Sequence, residues 1–266
     1  MLRHTPCTNP VRGPVTLIVG SCGRMGRMLL TRAENAGLRV RGIDVGLTPQ
    51  KVQTACTDTE LVLLCVPAPA VQQVAAKICP FLPPSAILAD ITSVKEEPLR
   101  SMESLWAGAV VGTHPLFGPQ PDPHMEQPVV IVPGARAKER HLKMTEQFFT
   151  LLGCRVFRSD AVTHDRAMAR IQNLNFITNL TYFALLAGQE DLLPFITPSF
   201  RRRLDAARKM LTEDAGLFTD LFEANAHSHE AVRQYRTMLN VAAAGDVDLL
   251  CRRAQWWWAD GQDTAD

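Results

Sequence analysis

Apolar residues follow two rhythms along the chain. In the first half, short strand-like runs recur: VTLIV at 15–19, RVRGID at 39–44, ELVLLCV at 60–66, AILADIT at 86–92, AVVGT at 109–113, PVVIV at 128–132 and CRVFR at 154–158. Most are near-continuous in Val, Ile and Leu, which predicts strands covered on both faces. Between them, apolar positions fall at helical spacing over about 23–36, in APAVQQVAAKI and over 135–152. Strands alternating with helices predict an α/β fold with a doubly wound, mostly parallel sheet. From about 160 no strand signal returns. Residues 160–188 read as one long apolar helix, and 196–212, 214–243 and 246–259 also read as helical. The expected plan is a flexible lead-in over 1–13, an α/β domain over 14–159 and an all-helical domain over 160–266. A ligand cleft is expected between the two domains.

Composition narrows the function classes. The chain has 266 residues, 46% of them hydrophobic, and a net charge of +1. That is enough chain for one large core or two smaller ones. There is no basic excess to meet nucleic acid and no polybasic segment to meet anionic lipid. No run of eighteen apolar residues predicts a membrane span. Seven cysteines are scattered without a CxxC pair, several inside apolar runs. They read as reduced, buried thiols of a cytoplasmic protein. The lead-in lacks the apolar core of a signal peptide. His227 and His229 lie two apart and do not form a metal pair, so no metal is expected.

The first strand runs into Gly20-Ser-Cys-Gly23-Arg-Met-Gly26 and then a helix. Glycine there permits a tight turn and lets backbone approach a pyrophosphate, which the helix N-terminus favours electrostatically. The spacing is GxxGxxG, not the commoner GxGxxG. Asp44 ends the second strand, eighteen residues after Gly26. A dinucleotide fold places an acid there to hold the adenosine ribose hydroxyls. No Lys or Arg follows at once, so a 2′-phosphate would meet an unscreened carboxylate and NAD is expected over NADP. The expected cofactor-binding residues are Gly20, Gly23, Arg24, Met25, Gly26, Asp44, Val66 and Pro67. The last two sit at the end of the third strand. The α/β domain is thus expected to be Rossmann-like.

Two later strand ends carry candidate chemistry. ADITSVKEEPL offers Asp90, Ser93 and Lys95, and VVGTHPLFGP offers His114 before a proline. Ser93 with Glu96 also fits a capping box. Together with IVGSCGRMGRM, LLCVPAPAV and THDRAMARIQNLNFIT, these segments resemble the prephenate dehydrogenase family of tyrosine biosynthesis. They are most similar to the dehydrogenase part fused to chorismate mutase in some bacteria. Only fourteen residues precede the first strand, so no mutase segment is expected. The resemblance implies NAD-dependent oxidative decarboxylation of prephenate to 4-hydroxyphenylpyruvate. A homodimer through the segments from 160 onward is expected on other grounds: LTYFALLAG is too apolar for a solvated surface, and WWW at 256–258 adds aromatic area that seeks burial. The resemblance also implies catalytic roles for His114 and Ser93, with His114 accepting the substrate hydroxyl proton. It implies substrate contacts from Ser93, Lys95, His114, Gln172, Asn175 and Arg201. His164, before Asp165, matches a family His-Asp pair and reads as supporting rather than catalytic.

The pattern departs from the family at two places. Related enzymes carry a carboxylate-binding arginine where this chain has Asn175, or on a later helix at a position matching Thr219. Neither residue is charged. Arg201, in the run Arg201–Arg203, is the nearest substitute. Arogenate or 4-amino-4-deoxyprephenate therefore stays open as substrate, and a non-catalytic NAD-binding homologue is a further alternative.

Overall fold

The computed structural model describes residues 13–259. Most of the expected lead-in, with Cys7, and the acidic tail after Ala259 lie outside the described residues. The chain divides into two compact units between Met168 and Ala169.

The first unit has the order β1 (Thr16–Val19), α1 (Arg24–Asn35), β2 (Val40–Ile43), α2 (Pro49–Cys56), β3 (Leu61–Leu64), α3 (Val71–Ile78), β4 (Ile87–Asp90) and α4 (Glu96–Leu105). It continues with β5 (Ala109–Pro115), β6 (Pro128–Pro133), α5 (Glu139–Leu151), β7 (Arg155–Arg158) and α6 (Ala161–Met168). The strands form one sheet in the order β2-β1-β3-β4-β5-β6-β7. Neighbours from β2 to β5 are parallel, β6 runs antiparallel to β5, and β7 is parallel to β6.

The apolar runs explain the two covered faces. Side chains alternate along a strand. Val62 and Leu64 join Leu17, Leu88 and Val110 against Val52 of α2, Ala75 of α3 and Met102 of α4. Leu61 and Leu63 join Ile18, Ile87 and Val111 against Leu29 of α1 and Phe148 and Phe149 of α5. Each such fully buried Leu or Ile contributes about 1.5–3 kcal/mol relative to exposure. Helix α2 has a start signal that the periodicity reading passes over. Thr48 caps it, accepting from Lys51 N at 3.4 Å, and Pro49 takes its first position, where a missing N–H costs no helical bond.

Strand β5 is longer than the expected 109–113. Its partner β4 ends at Asp90, opposite Gly112. Thr113, His114 and Pro115 pair only with Ile131, Val130 and Val129 of β6. His114 is therefore part of a strand that outruns the parallel sheet, and it is buried.

The second unit holds α7 (Leu174–Leu185), α8 (Pro198–Thr212), α9 (Ala215–Ala224), α10 (Ser228–Ala243) and α11 (Val247–Ala254). The long helix expected over 160–188 is divided. Between α6 and α7, Ala169–Asn173 form a π-helical stretch. Asn173, buried there, donates to Leu221 O at 3.3 Å and Ser228 Oγ at 2.9 Å. The segment expected over 214–243 is also split, at Asn225. Its side chain accepts from His227 N at 2.9 Å, a local bond that competes with the helical ladder.

Candidate active site

The glycine turn sits where the strand order reverses, with β2 on one side of β1 and β3 on the other. Open α/β sheets bind ligands at such a switch point. Gly20 N and Ser21 N both donate to Ile43 O, at 2.8 and 3.1 Å, pinning the turn to the end of β2. Gly20 has φ +89°, and a Cβ there would lie 2.4 Å from Cys65 O. At Gly26 a Cβ would lie 2.1 Å from Gly20 O, whereas at Gly23 the same oxygen would be 3.3 Å away. The first and third glycines are thus fixed by close backbone packing of β1, β3 and α1. No side chain caps α1 at Gly23. Arg24 is exposed and Met25 half-buried in its first turn. Val66 lies beside Gly20, and Pro67 is exposed just after β3.

Asp44 closes this cradle. Its carboxylate accepts from Cys22 N at 2.6 Å and Val45 N at 2.8 Å. Those backbone bonds hold its carboxyl below the usual carboxylate range. The acid stays ionised and also ties the glycine turn to β2. The cradle fits a dinucleotide: glycines at the crowded first and third positions, an uncapped helix start, and an anionic carboxylate at the second strand.

A second cluster lies at the ends of β4 and β5. Lys95 is fully buried, with Nζ 2.5 Å from Asp90 Oδ2 and 2.7 Å from Thr113 O. Gly112 makes the space, since a Cβ there would meet Lys95 Cδ at 2.9 Å. This corrects the expectation of Lys95 as a substrate contact. Its ammonium is turned inward, bonded to the residue before His114. Burial pushes the ammonium pKa down, and Asp90 opposes the shift.

Asp165 of α6 caps α4 instead of Ser93. Its Oδ1 accepts from Lys95 N at 2.7 Å and its Oδ2 from Glu96 N at 2.9 Å. The capping box expected of Ser93 and Glu96 is not formed. Helix α4 begins at Glu96, and half-buried Ser93 lies two residues before its N-cap.

His164 stands between Asp165 and His114. Its Nδ1 is 2.7 Å from Asp165 Oδ1, and its Nε2 is 2.9 Å from His114 Nδ1. The two rings meet edge to face at 72°, and all three residues are buried. Burial first, then the nearby His164 and Lys95, hold the His114 pKa well below its ordinary 6.5. His114 is thus a neutral imidazole at physiological pH. No described residue bonds its Nε2, which is not among the sealed, partnerless atoms of the described residues. His164, read as supporting rather than catalytic, lies directly behind His114. The adjacent His-Asp dipeptide was visible; its distance to His114 was not.

Gln172, Asn175 and Arg201 belong to the second unit. Gln172 is half-buried in the π-helical stretch. Asn175 is exposed on α7 and accepts from Asn179 Nδ2 at 3.1 Å. Arg201 is exposed in the first turn of α8. Arg203 instead stacks on Tyr182, its guanidinium 3.9 Å from the ring centroid. Among the described residues no cluster of three or more His, Cys, Asp or Glu could hold a metal, and no helix is long and apolar enough to cross a membrane.

The sheet order and the glycine cradle define a dinucleotide-binding α/β unit of the kind oxidoreductases use. Comparison with known proteins gives the family. Residues 23–158 match the family model described as "Prephenate dehydrogenase, nucleotide-binding domain". A T-protein of Enterobacter agglomerans is 31% identical over 255 residues, covering 92% of this chain and 67% of the relative. The chain therefore belongs to the prephenate dehydrogenase family of oxidoreductases and is an NAD-dependent enzyme. It spans between about half and two thirds of the T-proteins it matches. Two solved structures share the fold. One is the Aquifex aeolicus prephenate dehydrogenase in complex with hydroxyphenyl propionate and NAD+, with TM-score 0.75 and 18% identity over 93% of this chain and 94% of that one. The other is the Synechocystis arogenate dehydrogenase, with TM-score 0.74 and 21% identity over 92% of this chain and 98% of that one.

Proposed function

We propose that this chain oxidises and decarboxylates prephenate to 4-hydroxyphenylpyruvate, with His114 as the base. The observation that carries this reading is the buried, neutral His114 at the end of β5, with Nε2 unspent, in a nucleotide-binding unit of this family. Bound NAD+ would supply the acceptor for the hydride of ring carbon C4. His114 accepts the C4 hydroxyl proton at Nε2 as that hydride leaves. Breaking the bond from C1 to its carboxylate then sends an electron pair into the ring and releases CO₂. The C4 oxygen recovers a proton as the phenol forms. A neutral imidazole suits the first proton step, because it can accept while the reaction runs near neutral pH.

Ser93, half-buried and before α4, supplies a hydroxyl to the same substrate oxygen. Gly20, Gly23, Arg24, Met25, Gly26, Val66 and Pro67 hold the dinucleotide, and Asp44 selects its ribose 2′-hydroxyl over a 2′-phosphate. Gln172, Asn175 and Arg201 contact the substrate, with Arg201 as the cation for a carboxylate. The T-protein relatives support prephenate as the substrate. Neutral Asn175 and Thr219 favour a second reading, arogenate, which carries one negative charge fewer.

The second unit pairs with a second copy of this chain. Ile171, Leu185, Leu193 and Phe195 are each more than 60% exposed. Surface of that kind is hidden by association. The enzyme works as a cytoplasmic homodimer on this reading.

NADH formation followed by absorbance, with prephenate and arogenate in parallel, tests the assignment. Turnover with prephenate at higher kcat/KM is expected. Turnover with arogenate alone transfers the assignment to that substrate. No turnover with either leaves a nucleotide-binding homologue.

A further inference from the structure

We infer that His164 and Asp165 are positioning residues that fix the tautomer of His114, so that its Nε2 carries the lone pair needed to take the substrate proton. The inference rests on the proposed role of His114 as base. It starts from Asp165. Both of its oxygens accept backbone N–H bonds, from Lys95 at 2.7 Å and Glu96 at 2.9 Å. A carboxylate that caps a helix in this way is an acceptor. The nitrogen facing it at 2.7 Å, His164 Nδ1, must therefore bear a proton.

The rest follows along the chain of bonds. A neutral imidazole carries one N–H. In the neutral ring, with that hydrogen on Nδ1, His164 Nε2 is bare and can only accept. His114 Nδ1, 2.9 Å away, must then donate. Its own single hydrogen is spent on Nδ1, and Nε2 is left as the basic nitrogen. A histidine whose second nitrogen has no such partner has no fixed tautomer, and Nε2–H is the form it intrinsically favours. That form has no lone pair on Nε2 and cannot act as base there.

Charge transfer follows the same path. When Nε2 takes the substrate proton, His114 becomes an imidazolium whose Nδ1–H already points at an acceptor. The groups facing it are His164 from α6, with Asp165 behind, and Lys95 ahead of α4, with Asp90 behind. Asp165 offsets the new charge through His164, while Lys95 is held neutralised by Asp90.

Nitrogen-15 NMR of the histidine-labelled protein tests the tautomer directly. At neutral pH, His114 is expected to show a protonated Nδ1 and an unprotonated Nε2. The opposite pattern, or a mixture, overturns the inference. Kinetics of two variants supply the second arm. His164→Leu is expected to lower kcat by about 10- to 10⁴-fold, the upper limit being what tautomer reversal costs in the Ser-His-Asp triad. KM for NAD+ should stay unchanged. His164→Gln, whose side-chain carbonyl can reach the place of the lost Nε2, is expected to restore most of that kcat. Equal kcat for the Leu variant and the parent, or no recovery with Gln in a variant that folds, overturns the inference. The parent reading fails separately: His114→Asn with normal turnover removes the base, whatever tautomer the NMR shows.

Discussion

Lys95 and Asp90 form an ion pair sealed inside the first unit, Nζ to Oδ2 at 2.5 Å with both side chains wholly buried. Asp90 Oδ2 also accepts from Thr92 N at 2.9 Å and from the Thr92 hydroxyl, while Oδ1 has no hydrogen-bond partner among the described residues. The pair joins the end of β4 to Thr113 of β5 and so sets the height at which His114 emerges.

Breaking this pair from one side should therefore be costly. Removing one member of a buried pair typically costs about 3–5 kcal/mol, because the other charge is stranded. Lys95→Met and Asp90→Asn should each lower unfolding free energy in urea by an amount of that order. The double variant Lys95→Met with Asp90→Leu should recover much of it. An unchanged urea midpoint in Lys95→Met would show that the pair does not hold the β4 and β5 ends.

The glycines of the turn should not be equal. Gly20→Ala meets a backbone oxygen at 2.4 Å and must adopt φ +89°, and Gly26→Ala meets one at 2.1 Å. Overpacking of this kind costs about 1–3 kcal/mol. Both variants should lose Tm and bind NAD+ weakly in calorimetry. Gly23→Ala, with its nearest contact at 3.3 Å, should be the mildest of the three.

Asp44 should govern cofactor choice. A hydrogen bond to a charged group is worth about 1.5–3 kcal/mol, so NAD+ should be preferred to NADP+ by well over tenfold in kcat/KM. Asp44→Ala should narrow that ratio. It should also weaken NAD+ itself, because the same carboxylate holds Cys22 N in the turn. Equal kcat/KM for the two cofactors in the parent enzyme would remove Asp44 from this role.

His114→Asn should lower kcat by about 10²- to 10⁴-fold, the usual worth of a general base, with NAD+ affinity retained. The folded-state pKa of His114 lies well below 6.5, so the base stays neutral as pH falls through 6.5. The acid limb of kcat/KM should lie below that value. Stability has the same sign. Below pH 6.5 the unfolded chain binds a proton that folded His114 refuses, so unfolding free energy falls as pH is lowered. The slope from this one site is at most about 1.4 kcal/mol per pH unit. An acid limb at or above pH 6.5 would contradict the buried, neutral state.

Arg201→Ala should raise KM for prephenate far more than KM for NAD+. Light scattering of the purified protein should give twice the chain mass at micromolar concentration. A monomer there would leave the exposed Phe195 and Leu185 without the partner proposed for them.

The sequence by itself determined the sheet, the glycine cradle and the candidate histidine. These are local matters. Near-continuous apolar runs, glycines three apart and an acid at a strand end are set by covalent spacing, and they survive whatever the rest of the chain does. The breaks in the helical half were less legible, because Asn173 and Asn225 interrupt helices through bonds that periodicity does not register. The tertiary structure alone decided what surrounds His114. His164 is fifty residues away in sequence, and Asp165 reaches Lys95 N across seventy. Lys95 beside a strand end reads as a substrate-facing cation until Gly112, on another strand, is seen to leave room for it inside. Whether a titratable group is solvated, paired or locked in one tautomer depends on which distant segments the fold brings within three ångströms, and no single stretch of sequence carries that information.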